Sequence, residues 1–399
     1  MKAPRQVSLS IWPEGDRMKL ALAAGYEIAD PRAWSGTPLS LYTALQATAE
    51  GDEIVTVNAA VLPGGAPQKP PLTQIDIRAS LQRRQLLTKA RDAWRNPARS
   101  RALNRWLAAE KPDALLQFGG FRTAASGIPY FVYSDSTHEL SERFGREHPA
   151  LFARLYPGRT EADARLAARA VQPIYDEATG IFCMSEWMAQ SLQRMGTDIG
   201  KLHVVSPAPN WNGAALTVVQ KRPPQEPFRL LFVGVDWFHK GGDVVFDALR
   251  LLNNHLEAPK YLLDYAGSAQ VPHEVRETGF CRVHGFCSKE ELSKLYATAD
   301  LFVMLTRYDC FGIVFLEAMA YGLPCIGRDV CAMPEFIRSG ENGERLRGDD
   351  PAALAELIEK VLCAENYEAY SRGALAASRK YSWQAAAQRI WKVIRSFAG

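Results

Sequence analysis

Two carboxylates, Asp309 and Glu317, stand eight residues apart in the stretch Arg307 to Glu335, RYDCFGIVFLEAMAYGLPCIGRDVCAMPE. At 3.6 residues per turn, eight residues is about two turns of helix. The apolar run 300–305 before them reads as a buried strand running into a loop. Phe311-Gly312 opens a helix that continues through Leu316, Ala318, Met319, Ala320 and Tyr321. Gly322 closes it, and Pro324 follows two residues on. A second strand is expected at Cys325-Ile326. Asp309 then lies in the loop and Glu317 inside the helix, so both could face one ligand. Between them are the first-turn amides around Phe311, Gly312 and Ile313. Free amides and the positive end of the helix dipole make an anion site, most often for phosphate. Two hydroxyl-binding carboxylates around such a helix start would suit a sugar nucleotide.

Other elements must position further groups. Phe228 to Gly234 reads as a buried strand, and 235–243, VDWFHKGGD, as a loop before an amphipathic helix reaching about Leu252. Lys240 at such a loop can neutralise a diphosphate leaving group; the plainer reading is a surface lysine. Near the start, a strand at 19–23, the loop Asp30 to Pro38, a helix at 39–49 and a strand at 53–57 form a βαβ unit. Ligands of open α/β sheets bind at loops past the carboxyl ends of strands. Ser35-Gly36-Thr37 is such a loop, where Gly36 allows close backbone approach; a tight turn explains it equally. Strands follow at 114–118 and 129–133, the latter running into Ser134-Asp135-Ser136-Thr137-His138. Asp135 could accept a hydroxyl's hydrogen bond or orient a sugar, or Ser134, Asp135 or Thr137 could simply cap a helix.

The string DCFGIVFLEAMAYGLP resembles the Glu-x7-Glu signature of retaining glycosyltransferases, family 4 in the sequence-based classification, with Asp309 as a shorter first acid. The resemblance implies the GT-B fold, an α/β architecture of two Rossmann-like domains facing each other across a cleft, with a C-terminal helix crossing back to the first. It implies that Asp309 contacts the donor sugar's hydroxyls, that the Phe311, Gly312 and Ile313 amides hold phosphate, and that Glu317 grips the ribose. Gly234-x5-Lys240-Gly241 resembles the family's Gly-Arg-x4-Lys-Gly element, whose Arg and Lys clamp the diphosphate. The Arg position is Val235 here, so Arg307, His239 or Arg328 would have to compensate. Asp329 to Glu335 resembles the Asp-x-Gly-Gly-x-Pro-Glu loop with Cys331 and Ala332 in place of both glycines. Gly36 and Thr37 match the glycine loop between donor and acceptor. Asp135 falls where the family places a histidine beside the reacting sugar, and His138 is a second candidate.

The 399 residues imply about two domains. The expected division is 1–206, a linker 207–227 rich in proline, 228–380, and a tail helix 381–399. A net charge of +3 gives no argument for nucleic acid as a partner. The seven cysteines (183, 281, 287, 310, 325, 331, 363) include no C-x-x-C pair and read as reduced core thiols of a cytosolic protein. No run reaches the ~18 apolar residues of a membrane span, and no signal peptide is apparent.

The segment 78–106 carries nine arginines and lysines against Asp92, interleaved with leucine and tryptophan. Such a face lies on anionic lipid or in solvent with its apolar residues on a sheet. The expectation is therefore a cytoplasmic enzyme, peripheral at the inner membrane face if the lipid reading holds. It would take a nucleotide-sugar donor and a glycan, lipid-linked or small-molecule acceptor. There is no Asp-x-Asp pair, and neither metal nor cofactor is expected. The rival is a non-catalytic relative that binds the nucleotide sugar. A dinucleotide-dependent oxidoreductase is disfavoured, because no G-x-G-x-x-G follows a strand.

Overall fold

The computed structural model describes residues 17–64, 97–210, 223–267 and 270–397. The chain divides into two units: Met1–Ser206 with Trp383–Gly399, and Pro207–Ser382.

Unit 1 is a parallel six-stranded sheet in the order β2-β1-β3-β4-β5-β6. Its strands are β1 (Lys19–Ala24), β2 (Glu53–Asn58), β3 (Ala114–Phe118), β4 (Tyr130–Ser134), β5 (Gly180–Cys183) and β6 (Leu202–Val204). β3 and β5 are buried at every position, which is why they read as unbroken apolar runs rather than alternating ones. Helix α1 (Thr37–Ala47) follows β1, and α2 covers 97–110. Three helices follow β4: α3 (His138–Glu147), α4 (Pro149–Leu155) and α5 (Glu161–Glu177); α6 (Glu186–Arg194) follows β5. The order reverses at β1: β2 lies on one side and β3 on the other. Open α/β sheets place ligands at the strand ends flanking such a switch. In unit 1 those ends carry the loops that hold Trp34 to Gly36 and Gly119-Gly120.

Unit 2 repeats the arrangement in the order β12-β11-β10-β7-β8-β9, again all parallel. The strands are β7 (Phe228–Gly234), β8 (Tyr261–Gly267), β9 (Cys281–Gly285), β10 (Leu301–Met304), β11 (Cys325–Arg328) and β12 (Gly343–Leu346). Helices are α7 (Gly242–Leu252), α8 (His273–Glu277), α9 (Lys289–Thr298), α10 (Ile313–Ala320), α11 (Met333–Phe336), α12 (Pro351–Leu362) and α13 (Ala364–Ser378). Its switch point lies between β7 and β10. The loops leaving these two strands carry Lys240 and Asp309.

The last helix, α14 (Trp383–Phe397), is part of unit 1. Ala386, Ala387, Ile390, Trp391 and Ile394 form its buried stripe at the three-to-four-residue spacing of one helix face. The stripe packs on α1, where the Trp391 indole donates to the Leu45 carbonyl at 3.1 Å. Arg395 stacks over Trp391 and reaches Asp52 at 2.8 Å.

All seven cysteines are free: Cys183 and Cys325 are fully buried, Cys281, Cys287, Cys310 and Cys331 are half-buried, and Cys363 is exposed, so the expectation of core thiols is corrected for Cys363. Burial pushes the Cys183 thiol up to about 12 and Cys325 well above its ordinary value. Thiolate is the reactive form. With a disulfide reagent at neutral pH, Cys363 is expected to react first and Cys183 and Cys325 only on unfolding. Modification of Cys325 at the rate of Cys363 in native protein would contradict the packing described. Among the described residues no helix is long and apolar enough to cross a membrane.

Candidate active site

A polar cluster of unit 2 sits at its switch point. Lys240 leaves the loop after β7 and its ammonium pairs with the Asp309 carboxylate, which comes from the loop after β10. Sixty-nine residues separate the two. Gly234 makes this possible by its size: a Cβ there would lie 2.8 Å from Lys240 Cγ. The loop itself is fastened by His239 and Asp236. The His239 amide donates to the Asp236 carboxylate at 2.8 Å, and its imidazole Nε2 donates to the Tyr308 carbonyl at 2.6 Å. The Arg307 amide returns a bond to the His239 carbonyl at 2.9 Å.

Burial first, and the charge of Lys240 second, pull the His239 pKa below its ordinary value. The unfolded chain therefore takes up a proton here before the folded chain does. This contribution to stability is complete above the unfolded value of about 6.5 and is lost as pH falls through the folded value. His138 and His203 shift the same way. The urea midpoint is expected to fall from about pH 7 to about pH 5, and His239→Gln to flatten part of that fall. An identical slope in the variant would remove His239 from the account.

Gly312 caps α10 in the left-handed conformation (φ 77°), and no side chain bonds the first-turn amides of this helix from the cap. The helix begins at Ile313, so Phe311 lies in the loop rather than opening it, a small correction to the expected boundary. The Phe311 ring is buried against Phe336. What it offers a ligand is its backbone. Glu317, 3 % exposed, lies along α10. Its partners are Lys289 Nζ at 2.9 Å and Tyr296 Oη at 3.4 Å. Lys289 went unnoticed in the sequence. Ser288 and Glu291 announce a capped helix start, but nothing local says that the residue between them meets a carboxylate 28 positions away.

Two expectations are corrected. Arg307 and Arg328 do not replace the arginine missing at Val235. Arg307 is 5 % exposed, forks onto Asp243 at 2.7 and 2.9 Å, and stacks over Phe238. Arg328 is equally buried, bonded to the Leu305 carbonyl at 3.2 Å and to Asp349. Both guanidinium groups tie loops together. Cys331, at a glycine position of the resembled loop, has the left-handed backbone that glycine favours (φ 54°) and lies against the Asp309 amide and Lys240. Burial pushes its thiol up to about 12, so it stays protonated there.

In unit 1, Gly36 (φ 85°) caps α1, and Thr37 is its first residue. The Thr37 hydroxyl is buried without a hydrogen-bond partner among the described residues. Trp34 and Ser35 are also left-handed, at φ 46° and 58°. Such backbone costs about 1–2 kcal/mol per residue outside glycine. Trp34 has compensation at hand. Its ring meets Phe118 and Tyr133 edge-on, each at 6.3 Å, and its indole nitrogen donates to Asp135 Oδ2 at 3.3 Å. Aromatic pairs contribute about 0.5–1.5 kcal/mol each and a bond to a charged group about 1.5–3, which is of the size required. The cap of α3 is Thr137, bonded by the Leu140 amide at 3.3 Å. Asp135 is therefore not that cap. Its charge is felt by Tyr26, Tyr133 and Tyr175, whose hydroxyl pKa values are raised chiefly by burial. Beside it, the lining of a cavity of about 310 Å³ includes the apolar Val132, Val171 and Ile174 and the polar Ser134, Ser136, Ser141 and His138. Burial of the His138 ring and the charge of Arg159 lower its pKa, although His138 keeps an exposed edge.

The basic segment 78–106 falls outside the described residues as far as 96, as does 211–222 of the expected linker.

Two parallel sheets, each with a polar cluster at its switch point, define the GT-B class of fold, and solved structures agree. Sucrose-phosphate synthase from Thermosynechococcus elongatus superposes with a TM-score of 0.68 at 18% identity, covering 95% of this chain and 98% of that one. Anabaena HepE, solved in complex with UDP and glucose, gives 0.61 at 15% identity over 96% and 100%. Two family models match consecutive parts of the chain: "Glycosyl transferase 4-like domain" over 38–208 and "Glycosyl transferases group 1" over 217–391. The chain belongs to the group 1, family 4-like glycosyltransferases. A D-inositol 3-phosphate glycosyltransferase of Xylanimonas cellulosilytica is 29% identical over 229 residues, 51% of this chain and 54% of that protein. The chain spans about half the length of the curated relatives it matches.

Proposed function

We propose that this chain is a retaining glycosyltransferase that moves a sugar from a nucleoside diphosphate donor to an acceptor hydroxyl without a metal. The observation that carries the reading is the Lys240–Asp309 pair at the switch point of unit 2, beside the open N-terminus of α10 and with Glu317 about one turn along it. Lys240 and the amides of residues 311–313 neutralise the diphosphate, Asp309 accepts from sugar hydroxyls, and Glu317 accepts from the ribose. The bond from the anomeric carbon to the phosphate oxygen breaks, and a bond to the acceptor oxygen forms on the same face. The departing diphosphate oxygen takes the acceptor's proton, so no side-chain nucleophile is needed. In unit 1, Asp135 is assigned to accept from or orient a substrate hydroxyl, with Gly36 and Thr37 on the loop after β1. The hydroxyl-lined cavity of unit 1 suits the acceptor's polyhydroxyl part, an apolar wall under ring C–H groups and polar atoms at the edge. The same reading places the enzyme in the cytoplasm, with 78–106 touching anionic lipid. Co-sedimentation with anionic vesicles at low salt checks that contact, and its absence removes it.

A second reading is a non-catalytic binder of nucleotide sugars. Val235, exposed in place of arginine, favours it, as does the commitment of Arg307 and Arg328 to internal carboxylates. A thermal-shift screen of UDP-, GDP-, ADP- and TDP-sugars, with donor hydrolysis followed in any hit, separates the two. A ligand at 100 times its Kd stabilises by about 2.7 kcal/mol, a readily measured shift. Stabilisation with turnover that disappears in Glu317→Ala supports the transferase. Stabilisation without turnover, even with crude acceptor extracts, supports the binder, and no stabilisation by any donor refutes both.

A further inference from the structure

We propose that Trp34 is the positioning residue for Asp135, holding its carboxylate in one orientation at the carboxyl edge of the unit 1 sheet. The proposal rests on the transferase reading for its kinetic consequence but not for the contact itself.

Trp34 and Asp135 are 101 residues apart and leave two different strands, β1 and β4. Residues 34–36 run left-handed in succession, an arrangement that glycine alone adopts without strain. Nothing in the helix start that follows calls for tryptophan at the first of these positions, since α1 takes no side-chain cap from it. What this backbone does is turn the indole inward over the strand ends. There Phe118 and Tyr133, themselves edge to face at 6.0 Å, grip it on two sides. A ring held at two edges has little freedom about its side-chain torsions, so its nitrogen donor has a set direction. That direction is toward Asp135 Oδ2. Tyr133 is fully buried and its hydroxyl has no hydrogen-bond partner among the described residues, so the phenol below contributes shape to the cluster. A carboxylate at a strand-to-helix loop can take more than one rotamer. A directed N–H from a ring packed against two others favours the rotamer that meets it. Preorganisation of this kind acts on turnover, because a misplacement near 1 Å at a reacting centre costs up to about 100-fold.

The variant Trp34→Phe keeps an aromatic ring on Phe118 and Tyr133 and deletes the donor. It is expected to lower kcat about 10- to 100-fold while leaving donor affinity close to that of the parent chain, with a Tm lower by a few degrees for the lost bond. Combined with Asp135→Asn, it should cost no more than Asp135→Asn alone, because the two side chains act as a unit. Unchanged kcat in Trp34→Phe, or a double variant whose loss is the product of the single losses, overturns the proposal. The contact has its own readout. In protein carrying ¹⁵N-labelled tryptophan, the indole resonance that vanishes in Trp34→Phe should move in Asp135→Asn. If it stays in place, Trp34 does not hold Asp135. If the parent chain turns over no donor, the transferase reading and the kinetic part of the proposal both fail, while the indole shift still decides whether the contact exists.

Discussion

Lys240→Ala is expected to lower donor turnover by about 10²- to 10³-fold, the loss typical when one preorganised charge stabiliser is removed from a site. Three features support so large an effect. Lys240 sits on the loop after β7 and meets Asp309 from the loop after β10, so the ammonium lies where the sheet order reverses. Val235 cannot supply a second cation, and Arg307 and Arg328 are held by Asp243 and Asp349. The α10 amides remain, but they carry partial charges, not a full one. The variant also leaves Asp309, about three-quarters buried, without its ammonium partner, so weaker binding of an anionic donor should accompany slower turnover. Gly234→Ala approaches the same outcome indirectly, since its methyl would stand 2.8 Å from Lys240 Cγ and push the lysine stem aside. Steady-state kinetics with the donor found in the screen, together with calorimetric titration of its nucleoside diphosphate, checks both. Turnover within about threefold of the parent would remove Lys240 from the leaving-group role.

The largest expected effect on stability comes from Trp391→Ala, at about 3–5 kcal/mol for unit 1. Trp391 is 2 % exposed at the centre of the α14 stripe and bonds the Leu45 carbonyl near the end of α1. Truncation leaves a cavity between two helices, strips that carbonyl of its indole donor, and takes away the plate on which Arg395 stacks. Trp391→Phe keeps most of the volume and should cost about half as much. Urea unfolding followed by far-ultraviolet circular dichroism gives the comparison, with the transition of unit 1 moving to lower denaturant. Because α1 begins at Thr37, directly after the left-handed residues 34–36, loosening α1 should also reduce turnover. A midpoint unchanged in Trp391→Ala would mean that α14 contributes little to unit 1.

Much of this molecule was legible in its sequence. Strands 114–118 and 228–234 were expected at the limits the structure shows, because parallel strands buried through their centres are short apolar runs ended by glycine, proline or polar loops. The α10 helix, its glycine cap and its closing Gly322 follow from local backbone chemistry. So does the nature of the candidate-site groups in unit 2: a lysine after a strand, two acids eight residues apart, and a helix start between them.

Pairing is where sequence reasoning stopped. Periodicity and capping are set by neighbours within a turn or two, so they can be read along the chain. The partner of a charged side chain is set by which strand ends the sheet order brings together. No local pattern announces that Lys240 meets Asp309, that Lys289 meets Glu317, or that Trp34 reaches Asp135. The same cause explains the misjudged arginines. Arg307 and Arg328 carry the right charge near the right loops, but Asp243 and Asp349 reach them through folding, and a buried guanidinium needs such partners. Composition and spacing thus determined the elements and the kinds of groups at their ends, and the parallel sheets, by reversing order at β1 and β7, decided which of those groups touch.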